Sequence, residues 1–149
     1  MLDNQKFLSI EDFRDCLKKH GMKVTPQRIA VHEAMLTLRH ASADMICELI
    51  AMKDGAKVTV ASVYNILTSL ASRGFYSHRL SNNNKMYFDV VTSDHIHMYD
   101  TVNHTFTNVQ DDGGLLDEAR KLLSKRFKGY KLDRIDIQIL AHPTSRRRR

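Results

Sequence analysis

Apolar positions recur at intervals of three and four through the first half of the chain and then switch to alternation. From Ser9 to His20 they are Ile10, Phe13, Cys16 and Leu17, and Gly21 follows. This predicts an amphipathic helix closed at a glycine. Thr25-Pro26-Gln27-Arg28 opens a second helix, with Thr25 as cap and Pro26 at the first position, where a missing N–H costs nothing. Ile29, Val31, Leu36 and Leu38 carry that helix to about Arg39. Ser42 is placed to cap a third helix, Ala43 to Met52, closed by Asp54-Gly55. Thr59 starts a fourth, with Val63, Ile66, Leu67 and Leu70 on one face and Gly74 past its end. Beyond Gly74 the period becomes 2. Phe75 to Leu80 and Lys85 to Val90 flank the polar turn Ser81-Asn82-Asn83-Asn84 and predict a β-hairpin.

Short helices followed by a hairpin suit a winged helix-turn-helix. The third and fourth helices form the pair, joined by Asp54-Gly55-Ala56-Lys57, and the fourth is expected in a major groove. A small helical domain with a hairpin and no nucleic-acid role stays open at this level. The second half reads differently: short strands at His95 to Tyr99 and Thr105 to Val109, a helix over Leu115 to Phe127, and a last strand through Leu132, Ile135, Ile137 and Ile139. Its helix carries Leu115, Leu116, Ala119, Leu122 and Leu123. Such a unit is too small to be stable alone, and unpaired strand edges invite a second copy. The fold class is therefore α+β: a winged helix over 1–88, a hinge at 89–93, a small α/β dimerisation domain over 94–142 and a basic tail over 143–149.

Composition changes little. The chain has 149 residues, 42% hydrophobic and 27% charged, within the globular range. No apolar run approaches the roughly 18 residues of a membrane span, and the start lacks a signal-peptide pattern. The cytoplasm is the expected compartment, with no membrane partner. Cys16 and Cys47 are too few for a disulfide framework and sit in helical apolar patterns, as small hydrophobes. The net charge of +6 divides evenly, +3 on residues 1–90 and +3 on 91–149, but the second share rests on Arg146 to Arg149. A mildly basic first half suits a polyanion. The arginine run reads as a solvated end or a phosphate-touching tail.

Four blocks point to a family. Gly21-Met22-Lys23-Val24-Thr25-Pro26-Gln27-Arg28 resembles the G-x-(K/R)-x-T-x-x-R opening of ferric uptake regulator (Fur) proteins. Arg39-His40-Ala41-Ser42-Ala43-Asp44 resembles their R-H-P-(S/T)-A-(D/E) segment, and Ala61 to Leu67 the A-T-V-Y-R-x-L of their recognition helix. Asp89-Val90-Val91-Thr92-Ser93-Asp94-His95-Ile96-His97 is similar to the hinge of the peroxide-sensing repressors. The resemblance implies a homodimeric transcriptional regulator, a repressor by family habit and not an enzyme, acting on double-stranded operator DNA. Tyr64 would lie against thymine methyls, Lys23 would enter a minor groove and Arg28 would hold a phosphate, all ordinary readout chemistry. Thr59, Ser62 and Asn65 complete the expected DNA-contacting set. Asn65 departs from the family's arginine. The change removes one charge, lowers the salt slope by up to about one unit, and offers adenine a bidentate partner.

His95-x-His97 on a strand places two imidazoles on one face. The resemblance brings His40 and Asp89 to the same ion, giving one divalent metal per chain: Zn, Fe(II) or Mn(II). Asn108 stands where the peroxide-sensing branch has a fifth, aspartate ligand, and a neutral amide is a poorer one. The C-x-x-C that usually follows reads Asp100-Thr101-Val102-Asn103, and the residues after Phe127 contain no cysteine, so no structural Zn(Cys)4 is expected. A further family site keeps Glu118 but has Ile135 in place of histidine. An ion shared by His40, Asp89, His95 and His97 would set DNA affinity by favouring one arrangement of the two domains. Three other readings stand beside this one. Haem could be the effector, with His95, His97 or His142 axial, although neither cysteine precedes a proline. The same fold could act without metal. His95-x-His97-x-x-Asp100 resembles the H-x-H-x-D-H of zinc hydrolases, but its Asp is one residue late and the final His is missing.

Overall fold

A computed structural model describes residues 7–54, 57–81, 83–92, 94–111 and 113–145. The expected arginine tail, Gly55 and Ala56 of the third-to-fourth helix connection, Asn82 of the hairpin turn and Ser93 of the expected hinge lie outside the described residues. The chain divides into two compact units, Met1–Thr92 and Ser93–Arg149.

The first unit opens with α1 (Ile10–Lys19), whose cap is Ser9: its Oγ accepts from the Asp12 N–H at 3.1 Å. Gly21 takes φ of +68°, and the Met22 N–H returns to the Leu17 carbonyl at 2.8 Å to stop the helix. Thr25 caps α2 (Pro26–Leu38) through the Arg28 N–H. The buried stripe of α2 is Val31, Ala34 and Met35 with His32, whereas Leu36 and Leu38 of the expected stripe are only half-buried. At Arg39 the backbone turns to φ of +64°, ending α2 and swinging the chain directly into a strand.

That strand, β1 (His40–Ser42), has no counterpart in the sequence expectations. Ser42 then receives the Met45 N–H at 3.4 Å as α3 (Ala43–Asp54) begins, two residues longer than expected. Thr59 caps α4 (Val60–Ser72), and α4 buries Val63, Leu67 and Leu70. The hairpin consists of β2 (Ser77–Leu80) and β3 (Met86–Asp89), and β1 pairs antiparallel with the outer side of β3. Phe13, Leu17, Met35, Ile46, Leu67, Leu70 and Phe88 form a fully buried core joining helices to wing. Of the expected hinge, Val90 and Val91 are also buried in that core. The Val90 N–H reaches the Arg39 carbonyl at 3.1 Å, and Ser77 Oγ donates to the Val91 carbonyl at 2.7 Å.

In the second unit, β4 (His95–Asp100) is the central strand. β5 (Thr105–Val109) pairs with it antiparallel after a tight turn. β6 (Asp136–Ala141) pairs with its other edge in parallel, after a crossover through α5 (Leu115–Arg126). The last strand thus starts at Asp136 rather than near Leu132. Asp94 accounts for the difference: it accepts from the Ile135 N–H at 3.0 Å and from Arg120, whose other arm reaches the Leu132 carbonyl at 2.8 Å. These bonds hold the approach to β6 as an irregular segment. Asp111 caps α5, taking the Leu115 and Leu116 N–H groups at 2.8 and 3.0 Å.

Candidate metal centre and nucleic-acid interface

Antiparallel pairing places His40 of β1 opposite Asp89 of β3. His40 Nδ1 lies 2.9 Å from Asp89 Oδ2, and Asp89 Oδ1 takes the Val91 N–H at 2.8 Å. Asp89 is 3% exposed, so its charge is held by directed bonds in place of water. A carboxylate at Nδ1 selects the tautomer with the proton there, which leaves Nε2 with a lone pair suited to a cation. Tyr87 stacks on the His40 ring at 5.5 Å and 13°, fixing its plane. Sequence reasoning named both residues but had no local signal for their contact, because it rests on the unforeseen β1.

In the second unit, alternation along β4 puts His95, His97 and Tyr99 on one face. The two imidazoles approach with Nε2 to Nε2 at 2.9 Å and ring planes at 73°. His97 is fully buried and His95 nearly so; Phe106 meets His97 edge-on. Asn108 is directly opposite His97 in the β4–β5 register, on the same face and exposed. Across the parallel edge Asp136 is beside His95 and Gln138 beside His97. Asp136 was not among the expected ligands. It follows forty-one residues after His95, and no local pattern announces a parallel register.

Asp100 belongs to the opposite face of β4, away from the paired imidazoles. Its Oδ1 takes the Val102 and Asn103 N–H groups at 2.9 Å each, and its Oδ2 takes Asn103 Nδ2 at 2.8 Å. These bonds from Asn103 and Val102 hold its carboxyl below the ordinary carboxylate range. A zinc-hydrolase role for Asp100 with the two histidines therefore has no geometric basis. The two positions where a C-x-x-C would stand are bonded to each other instead and close the turn themselves. Ile135, standing where a histidine was looked for, is buried.

The expected DNA-contacting residues fall at the ends of α2 and α4 and in the loop before α2. Thr59 Oγ1 accepts the Ser62 N–H at 3.1 Å and donates to Ser62 Oγ at 2.8 Å, so both hydroxyls are arranged at the start of α4. Tyr64 is 41% exposed and rests edge-on against Phe88 of the wing at 6.2 Å. Ser62 and Asn65 are exposed beside it. Val63, Leu67 and Leu70 anchor the helix from behind, so the polar face is presented on a rigid support. Lys23 is exposed, and its carbonyl accepts Arg28 Nη1 at 2.6 Å, which ties the loop to the first turn of α2.

Four helices packed on a three-stranded sheet that carries the β2–β3 wing, followed in the chain by a small α/β unit bearing paired imidazoles, define a winged-helix protein with a candidate metal-binding second unit. The profile of the Ferric uptake regulator family matches residues 19–140, and the chain belongs to that family. It is 33% identical over 89 residues to the peroxide operon regulator of Bacillus subtilis (strain 168), a stretch covering 59% of this chain. The chain matches 61% of that regulator's length. The Vibrio cholerae ferric uptake regulator superposes with a TM-score of 0.74 at 19% identity, over 88% of this chain and 99% of that one. The Pseudomonas aeruginosa ferric uptake regulator, solved with manganese, gives 0.72 at 21% identity, over 89% and 98%.

Proposed function

We propose that the chain is a homodimeric DNA-binding transcriptional regulator, acting as a repressor in the cytoplasm, whose DNA affinity is set by one divalent metal per chain. The observation that carries this reading is the pair of buried imidazoles, His95 and His97, 2.9 Å apart on a rigid strand. Together with the His40–Asp89 pair of the first unit, they supply a donor set of three imidazoles and a carboxylate. That set fits Zn, Fe(II) or Mn(II) and contains no thiolate to favour a softer ion. When bound, a divalent ion supplies a positive centre to which all four donors are attracted at once. His40 and Asp89 belong to the DNA-reading unit and His95 and His97 to the other, so holding one ion in common restricts the arrangements available to the recognition helix. DNA affinity then changes by the difference in ion affinity between arrangements, and DNA tightens the ion by the same factor. Asn108 serves as at most a weak fifth donor.

Tyr64, Ser62 and Asn65 read base edges from α4, Lys23 enters a minor groove, and Arg28 and Thr59 hold the backbone. The sequence lacks both cysteines of the usual C-x-x-C, so the dimer is held by apolar packing without a structural Zn(Cys)4. Burial of His95 and His97 favours a small ion over haem, which needs an open slot of its own size. The test is metal content of the purified chain, paired with binding to DNA fragments selected from a random pool, before and after chelation. One ion per chain, with binding weakened at least tenfold by chelation and by His97→Ala, is the expected result. A metal-free dimer that binds selected DNA equally with chelator would overturn it.

A further inference from the structure

We propose that His95, His97 and Asp136 form a divalent-metal site contained wholly within the second unit, with Asp136 as a ligand. Each residue offers one donor atom, and the three atoms lie within 4.8 Å of one another. The cause is register: β4 and β6 run parallel with His95 beside Asp136, so side chains at these positions project from the same face. Zn–N bonds of about 2.0–2.1 Å place tetrahedral donors about 3.3 Å apart. The 2.9 Å between the two Nε2 atoms is already near that separation, and a small rotation of either ring reaches it. Neither backbone nor strand pairing has to move.

Burial is graded across the cluster. His97 is fully buried and His95 nearly so, while Asp136 is exposed. The carboxylate is therefore the group an arriving hydrated cation meets first, with the two imidazoles behind it. Asp is a poor residue for a strand on propensity alone, and its place next to His95 has a use if it supplies charge. Arg134 Nη2, at 3.3 Å from Asp136 Oδ2, is the competing cation. The pair is partly exposed, so a divalent ion can displace it readily. Two imidazoles and one carboxylate leave coordination positions for water and suit Zn(II), Co(II), Fe(II) or Mn(II).

This inference rests on the proposed function in sharing His95 and His97, and it deepens that reading. The second unit can take up an ion by itself, and His40 and Asp89 then exchange with Asp136. Occupancy and DNA response become separable steps. The experiment uses the full-length metal-free chain titrated anaerobically with Co(II), followed by visible absorption and equilibrium dialysis. The double variant His40→Ala/Asp89→Asn is expected to bind one Co(II) per chain. Adding Asp136→Asn should weaken binding at least tenfold and alter the cobalt band, and Asp136→His, which restores a donor, should recover most of it. Because Asp136 is exposed, these changes leave the fold intact. The proposal falls if the double variant binds no cobalt, or if adding Asp136→Asn changes neither affinity nor spectrum. Cobalt binding by the double variant with DNA binding still responsive to chelation would sink the four-donor reading and leave this site standing. Loss of both cobalt and DNA response in the double variant would do the reverse.

Discussion

His32 shows how one side chain can govern pH behaviour without belonging to any functional site. It is 2% exposed and stacks on Phe13 at 4.0 Å. Its Nδ1 lies 2.7 Å from the Tyr76 hydroxyl and its Nε2 2.7 Å from the Leu8 carbonyl. Burial pushes the Tyr76 hydroxyl far above its ordinary range, so Tyr76 donates to Nδ1 and the neutral ring donates from Nε2. Burial lowers the pKa of His32 from 6.5, against the opposing pull of the Leu8 carbonyl and Glu33. Below 6.5 the unfolded chain therefore binds more protons than the folded one. The stability contributed by neutral His32 is complete above 6.5 and is lost as pH falls toward the folded value. His32→Phe keeps the stacked ring but strands the Tyr76 hydroxyl and the Leu8 carbonyl. It should cost roughly 1–3 kcal/mol at pH 7.5 and flatten the decline below pH 6.5, read by urea unfolding. An unchanged slope would show that other groups set the acid sensitivity. Nothing in the sequence marks His32 as structural, because a histidine between Val31 and Glu33 reads like any helical polar residue. His95 and His97 were legible because alternation alone places them together.

At the scale of elements, what the sequence revealed depended on whether the signal was local. Thr25 and Thr59 open helices as expected, each taking the N–H three residues on, and Ser9 does the same for α1 although it was not singled out. β1 was not legible: His40-Ala41-Ser42 is too short to show a period, and its strand character comes from β3, some forty-five residues away. The start of β6 was misjudged for a related reason. Leu132 and Ile135 extend the apolar alternation, but Asp94 and Arg120 claim the backbone there before it can join the sheet. That clamp is testable. Desolvation works against ionisation of Asp94, but hydrogen bonds from Arg120 and the Ile135 N–H, with the charges of Arg120 and Arg134, outweigh it and lower its pKa. Its contribution is present above the ordinary carboxylate range and lost as pH falls through the lowered value. Arg120→Ala frees the Leu132 carbonyl and leaves Asp94 with one donor. The pair is partly exposed, so solvent screening discounts it, and a loss of about 1–2 kcal/mol is expected. Thermal unfolding at pH 7 measures it; a shift under half a degree would mean that the clamp orders the loop without stabilising the unit.

For the whole molecule, the second unit poses the question of what covers its helix. α5 buries no residue, although its sequence carries the apolar spacing of a core helix. Leu115 is 52% exposed, Leu122 57% and Phe127 50%, and Ile139 and Leu140 on β6 add further apolar surface. A two-layer unit with one helix has nothing of its own to place over these side chains. A second copy satisfies them symmetrically, which is the arrangement closed dimers use. A dimer would also bear on the proposed DNA binding, because two linked recognition helices raise the effective concentration of the second once the first is bound. Leu122→Lys places a charge in the middle of the apolar stripe, where an unpaired buried ion is costly. Sedimentation equilibrium should then report a monomer at micromolar concentration, with selected-DNA binding weakened by two orders of magnitude or more. Cobalt uptake at His95, His97 and Asp136 should persist, since none of those ligands is on α5. Retention of the dimer by Leu122→Lys would move the interface away from this helix and leave its exposed leucines for another partner.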